Sequence, residues 1–291
     1  MYRINGDIKL LATNLSTLLF VSGATPNRFD KALATQADSV CIDLEDAVPT
    51  GGKAQAREQA LAAIGRSPRL ALRINPVATL AGLRDLVALA DAGVRPALLL
   101  LPKVESATEL AIVTGALGAD IALVPLIETP VGLAATASIA RAPGVAAMMF
   151  GGGDMAAELG VELAWEPLLA ARGAFLLGCA AAGVPAIDVP FLDLADLAGL
   201  EAETLRARAL GFHAKAAIHP AQVDIINAAL RPSAALIAEA QAADAAFAAA
   251  GGAAVRFQGR MLEEPVMRRY RRILAQAQSR GATSRENQDN A

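Results

Sequence analysis

The segment "ALLLLPKVESATELAIVTGALGADIALVPLIETPVGLAATASIA", residues 97–140, shows the pattern that decides the fold. Its two near-continuous apolar runs, 97–103 and 121–128, have the length and composition of strands that are buried on both faces of a parallel sheet. Each run is followed by a polar break and then by an Ala-rich segment of helical length. The segment therefore predicts two consecutive β/α units, with Thr129 and Pro130 at the start of the second helix.

The same alternation continues on both sides of this segment. Eight apolar runs alternate with helical stretches, at 17–23, 38–44, 70–75, 97–103, 121–128, 145–151, 184–189 and 214–220. This order predicts an α/β fold, a closed (β/α)8 TIM barrel. A doubly wound open sheet is the alternative, but its G-x-G-x-x-G turn is absent after the first strand, where the sequence is "SGATPNRF".

The alternation stops after residue 230. The Ala-rich segment 232–252 and the segment 263–278 are predicted as helices, and the polar sequence that follows is predicted as disordered. The predicted domains are therefore a barrel over 1–230, a helical extension over 231–279 and a disordered tail over 280–291.

Composition narrows the classes of function. The 291 residues carry a net charge of −3, so no basic bias points to nucleic acid or to an anionic membrane surface. No cleavable leader and no apolar window of about 18 residues is predicted, which favours a cytoplasmic protein. Cys41 and Cys179 lie among apolar neighbours and are predicted as buried thiols, not as metal ligands or a disulfide.

Polar side chains follow the predicted strands, at the ends where barrels of this kind carry their active sites. In strand order they are Ser22; Asp43, Glu45 and Asp46; Arg73 and Asn75; Lys103 and Glu105; Glu128; Asp154; Asp188; and His219. A barrel would bring these groups to one mouth, within the space of a small-molecule site. Because so many carboxylates repel one another unless a proton or a cation lies between them, a metal ion is expected there.

Glu128 and Asp154, which follow adjacent strands, are the predicted metal ligands. Two carboxylates together with substrate and water oxygens suit Mg²⁺, with Mn²⁺ as an alternative. Each residue alone also has a structural interpretation, because each stands close to the start of a predicted helix or turn. The glycines before the aspartate, Gly152 and Gly153, would let backbone N–H groups approach a substrate carboxylate beside the metal.

Arg73 interrupts an apolar strand with a guanidinium group. Its predicted role is bidentate capture of a substrate carboxylate, and a salt bridge inside the mouth is the alternative. Lys103 is predicted to contact substrate. A Schiff base on Lys103 or Lys215 is a further alternative, although a metal ion would already supply the electrophile.

The acidic segment after the second strand has a supporting role in this interpretation. Asp43, Glu45 and Asp46 are predicted to surround the metal and the substrate without binding the metal directly, and a solvated loop is the alternative for Glu45. His219 precedes Pro220 and is open to either a structural or a catalytic role.

These motifs, in this order and spacing, resemble the citrate lyase beta-subunit-like branch of the HpcH/HpaI aldolase/citrate lyase superfamily. The similar segments cover nearly the whole chain: "LLFVSGATPNRFDKAL", "ADSVCIDLEDAVP", "LRINP", "LLLPKVES", "PLIETPVGL", "GGGDMAAELG", "LGFHAKAAIHPAQVDIIN" and, less closely, "GRMLEEPVMRRYRRIL". The pair "IET" and "GGGD" is the most diagnostic.

The resemblance implies a (β/α)8 barrel assembled as a homotrimer or a dimer of trimers. It implies that Glu128 and Asp154 bind Mg²⁺ and that Arg73 holds the carboxylate of an oxaloacetate-like oxoacid. Family members cleave or form a carbon–carbon bond between an acyl thioester, usually of coenzyme A, and an oxoacid. The related aldolases that use free aldehydes carry a histidine after the second strand; "DLEDAV" has none, which favours the thioester branch.

Three positions depart from the family pattern. Ser16 and Ser22 stand where the family often has arginine and proline in the first strand. Near the C-terminus, Glu263 in "MLEEP" replaces an aspartate that the family places into a neighbouring subunit's site as an acid/base group. Glu263 is therefore the predicted acid/base residue, with one more methylene of reach.

The predicted function is Mg²⁺-dependent cleavage of a citramalyl-, malyl- or citryl-CoA type of thioester to acetyl-CoA and a short 2-oxoacid. One alternative is a thioesterase of the malyl-CoA type, in which water attacks the thioester in the same site. The other is a non-catalytic, oxoacid-binding subunit.

Overall fold

The computed structural model describes residues 14–289, and a closed barrel of parallel strands occupies the first part of the chain. Its strands are β1 Thr17–Ser22, β2 Ser39–Asp43, β3 Leu70–Arg73, β4 Leu99–Leu101, β5 Leu123–Ile127, β6 Met148–Phe150, β7 Ala186–Asp188 and β8 Ala214–Ala217. Each strand pairs with its sequence neighbour, and the pairing of β1 with β8 closes the ring. The predicted (β/α)8 barrel is confirmed.

The helices of this unit follow the strands along the chain. They are α1 Phe29–Leu33, α2 Lys53–Ile64, α3 Leu80–Ala92, α4 Ala107–Leu117, α5 Pro130–Ile139, α6 Gly152–Leu159, α7 Trp165–Ala182, α8 Leu197–Leu210 and α9 Val223–Leu230. Several begin with side-chain caps: Ser106 and Glu109 form a capping box before α4, and Thr129 accepts from the N–H of Gly132 before α5. No helix within the described residues is long and apolar enough to cross a membrane.

The alternation of side chains along each strand positions the site. One buried cluster, which includes Leu100 and Leu126, fills the barrel interior, and a larger one, which includes Leu99 and Ile127, lies between strands and helices. Side chains two residues apart on a strand point to the same face of the sheet. Asp43, Arg73 and Glu128 each come two residues after an inward-facing residue, which is Cys41, Ala71 and Leu126 respectively. These three polar side chains therefore lie at the carboxyl end of the barrel interior.

The second unit begins at Arg231. It contains α10 Ala234–Ala249, a hairpin of β9 Val255–Phe257 and β10 Arg260–Leu262, and α11 Glu264–Asp289. The hairpin is absent from the sequence prediction, although Gln258 and Gly259 in its turn both have positive φ, as a tight two-residue turn requires.

Helix α11 also extends beyond the predicted helical segment, into the range predicted as a disordered tail. That range contains no proline, and its Arg, Ala, Glu and Gln residues favour helix. Residues 290 and 291 of the predicted tail lie outside the described residues.

Candidate active site

An open cavity of about 1000 Å³ lies at the carboxyl ends of the barrel strands. Its lining includes Ser22, Asp43, Asp46, Arg73, Glu128, Gly153, Asp154 and His219. The structure thus brings both predicted metal ligands and the predicted carboxylate-binding arginine to one cavity. Two further predicted residues, Glu45 and Lys103, contact this set from a neighbouring depression.

Glu128 follows β5 directly and is almost fully buried. It does not cap α5, because Thr129 does so, and its Oε2 instead accepts a hydrogen bond from the backbone N–H of Lys103 at 3.1 Å. Burial and then the charge of Glu45 raise the pKa of Glu128 to about 8. A carboxyl group with so little solvent and so few donors around it is suited to a cation.

Asp154 stands in the first turn of α6, with its side chain partly exposed at the cavity. It does not cap the helix, whose N-cap residue is Gly151. Because strands β5 and β6 are hydrogen-bonded neighbours, Glu128 and Asp154 face the cavity from adjacent positions on its rim. The charge of Asp154 contributes to the raised pKa of Glu128, as expected of carboxylates that share one site.

The glycines before Asp154 differ in what they allow. A Cβ atom on Gly151 would lie 2.1 Å from Cγ of Glu128, so this position has to be glycine for Glu128 to keep its place. A Cβ on Gly152 would meet Leu163 and Val189 at 3.3 Å, and one on Gly153 would meet nothing within 4 Å. The sequence prediction named Gly152 and Gly153 and missed Gly151, whose requirement comes from a contact across two strands.

Arg73 combines the two roles that the sequence left open. Its Nε and Nη2 each donate to Asp43 at 2.7 Å, and its Nη1 lies 2.8 Å from Oε2 of Glu45 as an ion pair without hydrogen-bond geometry. The guanidinium also lies over the ring of Phe20, at 5.2 Å from its centroid. Since Asp43 takes only one N–H each from Nε and Nη2, further N–H groups are left for a ligand in the cavity.

Lys103 lies between Glu45 and Asp154 and contacts both. Its Nζ lies 3.3 Å from Oε1 of Glu45 and 3.4 Å from Oδ2 of Asp154. Burial alone would lower the pKa of Lys103, but the charges of Glu45, Asp154 and Asp46 outweigh it and raise the pKa. A Schiff base needs a neutral amine, so these surroundings do not suit Lys103 for that chemistry.

Glu45 and Asp46 occupy different environments after β2. Glu45 is buried between Arg73 and Lys103, and burial raises its pKa. This placement excludes the solvated loop that was the alternative for Glu45. Asp46 is exposed and lines the cavity.

Other predicted mouth residues lie elsewhere, as does Lys215, the alternative Schiff-base lysine, and this corrects the sequence interpretation. Asp188 and Lys215 face outward from β7 and β8 and are fully buried, 2.7 Å apart, with Arg172 of α7 at 3.1 Å from Asp188. Asn75 is buried against Asp85. The remaining one, Glu105, accepts a hydrogen bond from Thr129, and it does not line the cavity.

His219 has a defined structural role at the rim. Its Nδ1 accepts from the N–H of Ala221 and so caps the short helical turn Pro220–Gln222. This bond places the proton of a neutral imidazole on Nε2, which leaves that nitrogen as a donor at the cavity edge.

Glu263 lies in the second unit, directly after β10, and its side chain is exposed. Its backbone carbonyl accepts from Val266 and Met267 and so starts α11. Its predicted entry into a neighbouring subunit's site concerns another copy of the chain and stays a prediction.

The donor set fits a hard divalent cation. Within the described residues no group of three or more His, Cys, Asp or Glu side chains forms a metal cage. Two carboxylates with no nitrogen or sulfur ligand suit Mg²⁺, which keeps several waters or substrate oxygens. The pKa of Glu128 is raised first by burial and then by the charges of Glu45 and Asp154, and a cation bound beside Glu128 would offset both effects.

Comparison with known proteins agrees with this geometry. A family profile described as HpcH/HpaI aldolase/citrate lyase matches residues 16–220. A citrate lyase subunit beta-like protein of Mycobacterium tuberculosis is 36% identical over 89% of this chain and 94% of its own. A (3S)-malyl-CoA thioesterase of Cereibacter sphaeroides is 34% identical over 90% of this chain and 94% of its own. An L-malyl-CoA/beta-methylmalyl-CoA lyase of Cereibacter sphaeroides is 33% identical over 89% of this chain and 93% of its own.

Among solved structures, protein CitE of Mycobacterium tuberculosis in complex with magnesium, acetoacetate and coenzyme A superposes with a TM-score of 0.80. It shares 33% identity and covers 91% of this chain and 99% of its own. The barrel, the order of its motifs and these relatives agree: the chain belongs to the HpcH/HpaI aldolase/citrate lyase family, in its citrate lyase beta-subunit-like branch.

Proposed function

We propose that this protein is a Mg²⁺-dependent carbon–carbon lyase that cleaves a hydroxy-diacyl-CoA thioester to acetyl-CoA and a short 2-oxoacid. The observation that carries the proposal is the juxtaposition of Glu128 and Asp154 with Arg73 in one cavity. The related lyase and the CitE complex with magnesium and coenzyme A support the substrate class. The citramalyl, malyl and citryl thioesters are the candidates.

Glu128 and Asp154 would hold the cation, with Mn²⁺ as a substitute for Mg²⁺. When bound, such a cation acts as a Lewis acid towards the oxygens of the hydroxy acid and stabilises the carbonyl that forms. No group of three or more His, Cys, Asp or Glu side chains in the described part of the chain could hold a metal ion, so a cation held by these two carboxylates would keep positions for those oxygens.

The chain's own residues orient the substrate. Arg73, held by Asp43, would donate from its remaining N–H groups to the substrate carboxylate. The first N–H groups of α6, at Gly152 and Gly153, have no partner within the helix and would donate to the same end of the molecule. Such positioning matters because a misplacement of about 1 Å can cost two orders of magnitude in rate.

Bond cleavage requires two proton movements. The β-hydroxyl gives its proton to a carboxylate acid/base group as the carbon–carbon bond breaks, the electron pair of that bond stays on the carbon next to the thioester carbonyl, and the same group can then return the proton to that carbon. That enolate then needs a proton, for which Glu263 of a neighbouring subunit is our candidate donor. Because the donor comes from a neighbouring subunit, this assignment requires an oligomer, and we propose a homotrimer or a dimer of trimers. We also propose that the protein acts in the cytoplasm.

The test is turnover of purified protein with Mg²⁺ and a panel of malyl-, citramalyl- and citryl-CoA, with products identified. We expect acetyl-CoA and an oxoacid from at least one thioester, and loss of both on Glu128→Gln or Asp154→Asn. Absence of cleavage and of hydrolysis with every thioester would contradict the proposal.

A thioesterase is the second candidate, because the Cereibacter sphaeroides thioesterase is as similar to this chain as the lyase. Free coenzyme A together with an intact hydroxy diacid would identify it in the same panel. Binding of oxaloacetate or pyruvate without turnover would instead indicate a non-catalytic subunit.

A further inference from the structure

Lys103 contacts both proposed metal ligands, one through its backbone and one through its side chain. The backbone N–H donates to Oε2 of Glu128 at 3.1 Å, and the ammonium nitrogen lies 3.4 Å from Oδ2 of Asp154. A third carboxylate, Glu45, is 3.3 Å from the same nitrogen. Among the ion pairs of the described residues, Lys103 supplies the cation that faces Asp154.

The backbone of Lys103 has a strained conformation at this double contact. Its φ is +54°, in the left-handed region, and among the described non-glycine residues only Gln258, in the hairpin turn, shares that feature. Such a conformation persists where surrounding contacts over-determine it, typically at functional sites. Here the contacts are those to Glu128 on one side and to Glu45 and Asp154 on the other.

We propose that the ammonium of Lys103 takes the place of the divalent cation beside Asp154 in the metal-free protein and withdraws when the metal binds. Lys103 is then a positioning residue: it pairs with Asp154 until the metal displaces it, and it sets the affinity for the metal by this competition. This inference rests on the proposed function, since it assumes the cation site at Glu128 and Asp154.

The properties of the Lys103 side chain suit a placeholder, that is, a cationic group that pairs with Asp154 until the metal binds. An ammonium is a compact point charge on a flexible stem, so it can leave without moving the backbone. The side chain is 37% exposed, which leaves space for it to swing towards solvent. Glu45 is buried and stays 3.3 Å away, so Lys103 keeps a carboxylate partner after it releases Asp154.

The test is metal affinity in the absence of substrate. Mg²⁺ binding is measured by titration calorimetry, and Mn²⁺ binding by the loss of its free electron paramagnetic resonance signal, for the wild type, Lys103→Met and Lys103→Arg. Lys31 also lines the cavity but makes no ion pair with Glu128 or Asp154, so Lys31→Met is the matched control for loss of one positive charge.

We expect Lys103→Met to bind both metals roughly five- to tenfold more tightly, because a competing charge at contact distance has been removed. Lys103→Arg keeps the competing charge and Lys31→Met keeps Lys103, so both should stay within about twofold of the wild type. The metal-free Lys103→Met protein should melt at a lower temperature than the wild type and gain more from added Mg²⁺.

Equal or weaker metal binding by Lys103→Met would overturn the placeholder role. If the methionine variant does not fold, Lys103→Gln, which keeps polarity without charge, carries the same expectation. The proposed metal site fails separately, and the inference with it, if the wild type and Glu128→Gln bind metal equally. Glu128-dependent binding that Lys103→Met leaves unchanged would refute the inference alone.

Discussion

Asp43 and Arg73 lie directly opposite each other in the register of β2 and β3, and two hydrogen bonds of 2.7 Å join the carboxylate to the guanidinium. Asp43 thereby fixes the plane of the guanidinium that faces the cavity. An arginine that is free to rotate would lose this orientation, whereas a lysine would lose the planar fork altogether.

We therefore expect Asp43→Asn to weaken binding of a 2-oxoacid such as oxaloacetate by about tenfold, and Arg73→Lys by about a hundredfold, from the loss of bidentate geometry. Titration of the oxoacid against Mg²⁺-loaded protein measures both. Thr129→Ser, which keeps the cap of α5 outside the cavity lining, is the control and should bind as the wild type does. An Asp43→Asn protein with undiminished affinity would show that Arg73 is oriented by other contacts.

The pKa of Glu128 leads to a prediction about pH. In the metal-free protein it is raised to about 8, so below that pH Glu128 carries a proton that the metal must displace. Apparent affinity for Mg²⁺ should then fall by up to tenfold for each unit of pH below 8 and level off above it. Calorimetry at pH 6.5, 7.5 and 8.5 in buffers of different ionisation enthalpy measures both the affinity and the released proton.

Glu128→Gln is the control for that experiment, because it removes the titrating group and should bind weakly at every pH. An affinity that does not change between pH 6.5 and 8.5, with no proton released, would mean that Glu128 is already ionised without metal.

The fold and the centre of the site could be predicted from sequence because both depend on short-range patterns. Apolar runs of strand length at regular spacing specify the barrel, and each polar residue that ends such a run lies at the mouth if its parity is inward. Arg73 and Glu128 meet in one cavity for this reason, and Asp154 joins them from the first turn of the helix that follows β6.

Asp188 also ends a strand, but it follows the inward-facing Ile187 and so points outward. Lys215 lies between the inward-facing Ala214 and Ala216 and points outward as well. The parity of each strand was therefore the sequence signal that would have separated these two residues from the mouth. No local pattern could identify Gly151, because its requirement depends on the distance to Glu128 on the neighbouring strand.

The buried ion pairs of Asp188, which faces outward from the barrel, lead to a prediction about stability. Asp188 binds both Lys215 and Arg172, and all three side chains are at most 1% exposed. Replacing Asp188 takes the carboxylate partner from the buried Arg172 and leaves Lys215 with Glu203 as its carboxylate partner, so Asp188→Asn should lower the free energy of unfolding by roughly 3–5 kcal/mol. Urea unfolding followed by circular dichroism measures it.

Asp30 and Arg66 form the contrasting pair, since both are largely exposed. Asp30→Asn should therefore hardly shift the urea midpoint. A similar midpoint for Asp188→Asn and Asp30→Asn would show that the buried network contributes little.

Gly151 and Gly153, which precede Asp154, should respond differently to replacement by alanine. The Cβ of Gly151→Ala would stand 2.1 Å from Cγ of Glu128, so Glu128 has to leave its position and Mg²⁺ affinity should fall by at least about tenfold. The Cβ of Gly153→Ala meets nothing within 4 Å, and alanine favours helix, so this variant should bind Mg²⁺ normally and be at least as stable as the wild type. If substrate approaches the backbone there, Gly153→Ala should nevertheless bind the oxoacid more weakly. Calorimetry with Mg²⁺ and then with oxaloacetate separates these effects, and normal metal binding by Gly151→Ala would show that Glu128 does not depend on this close contact.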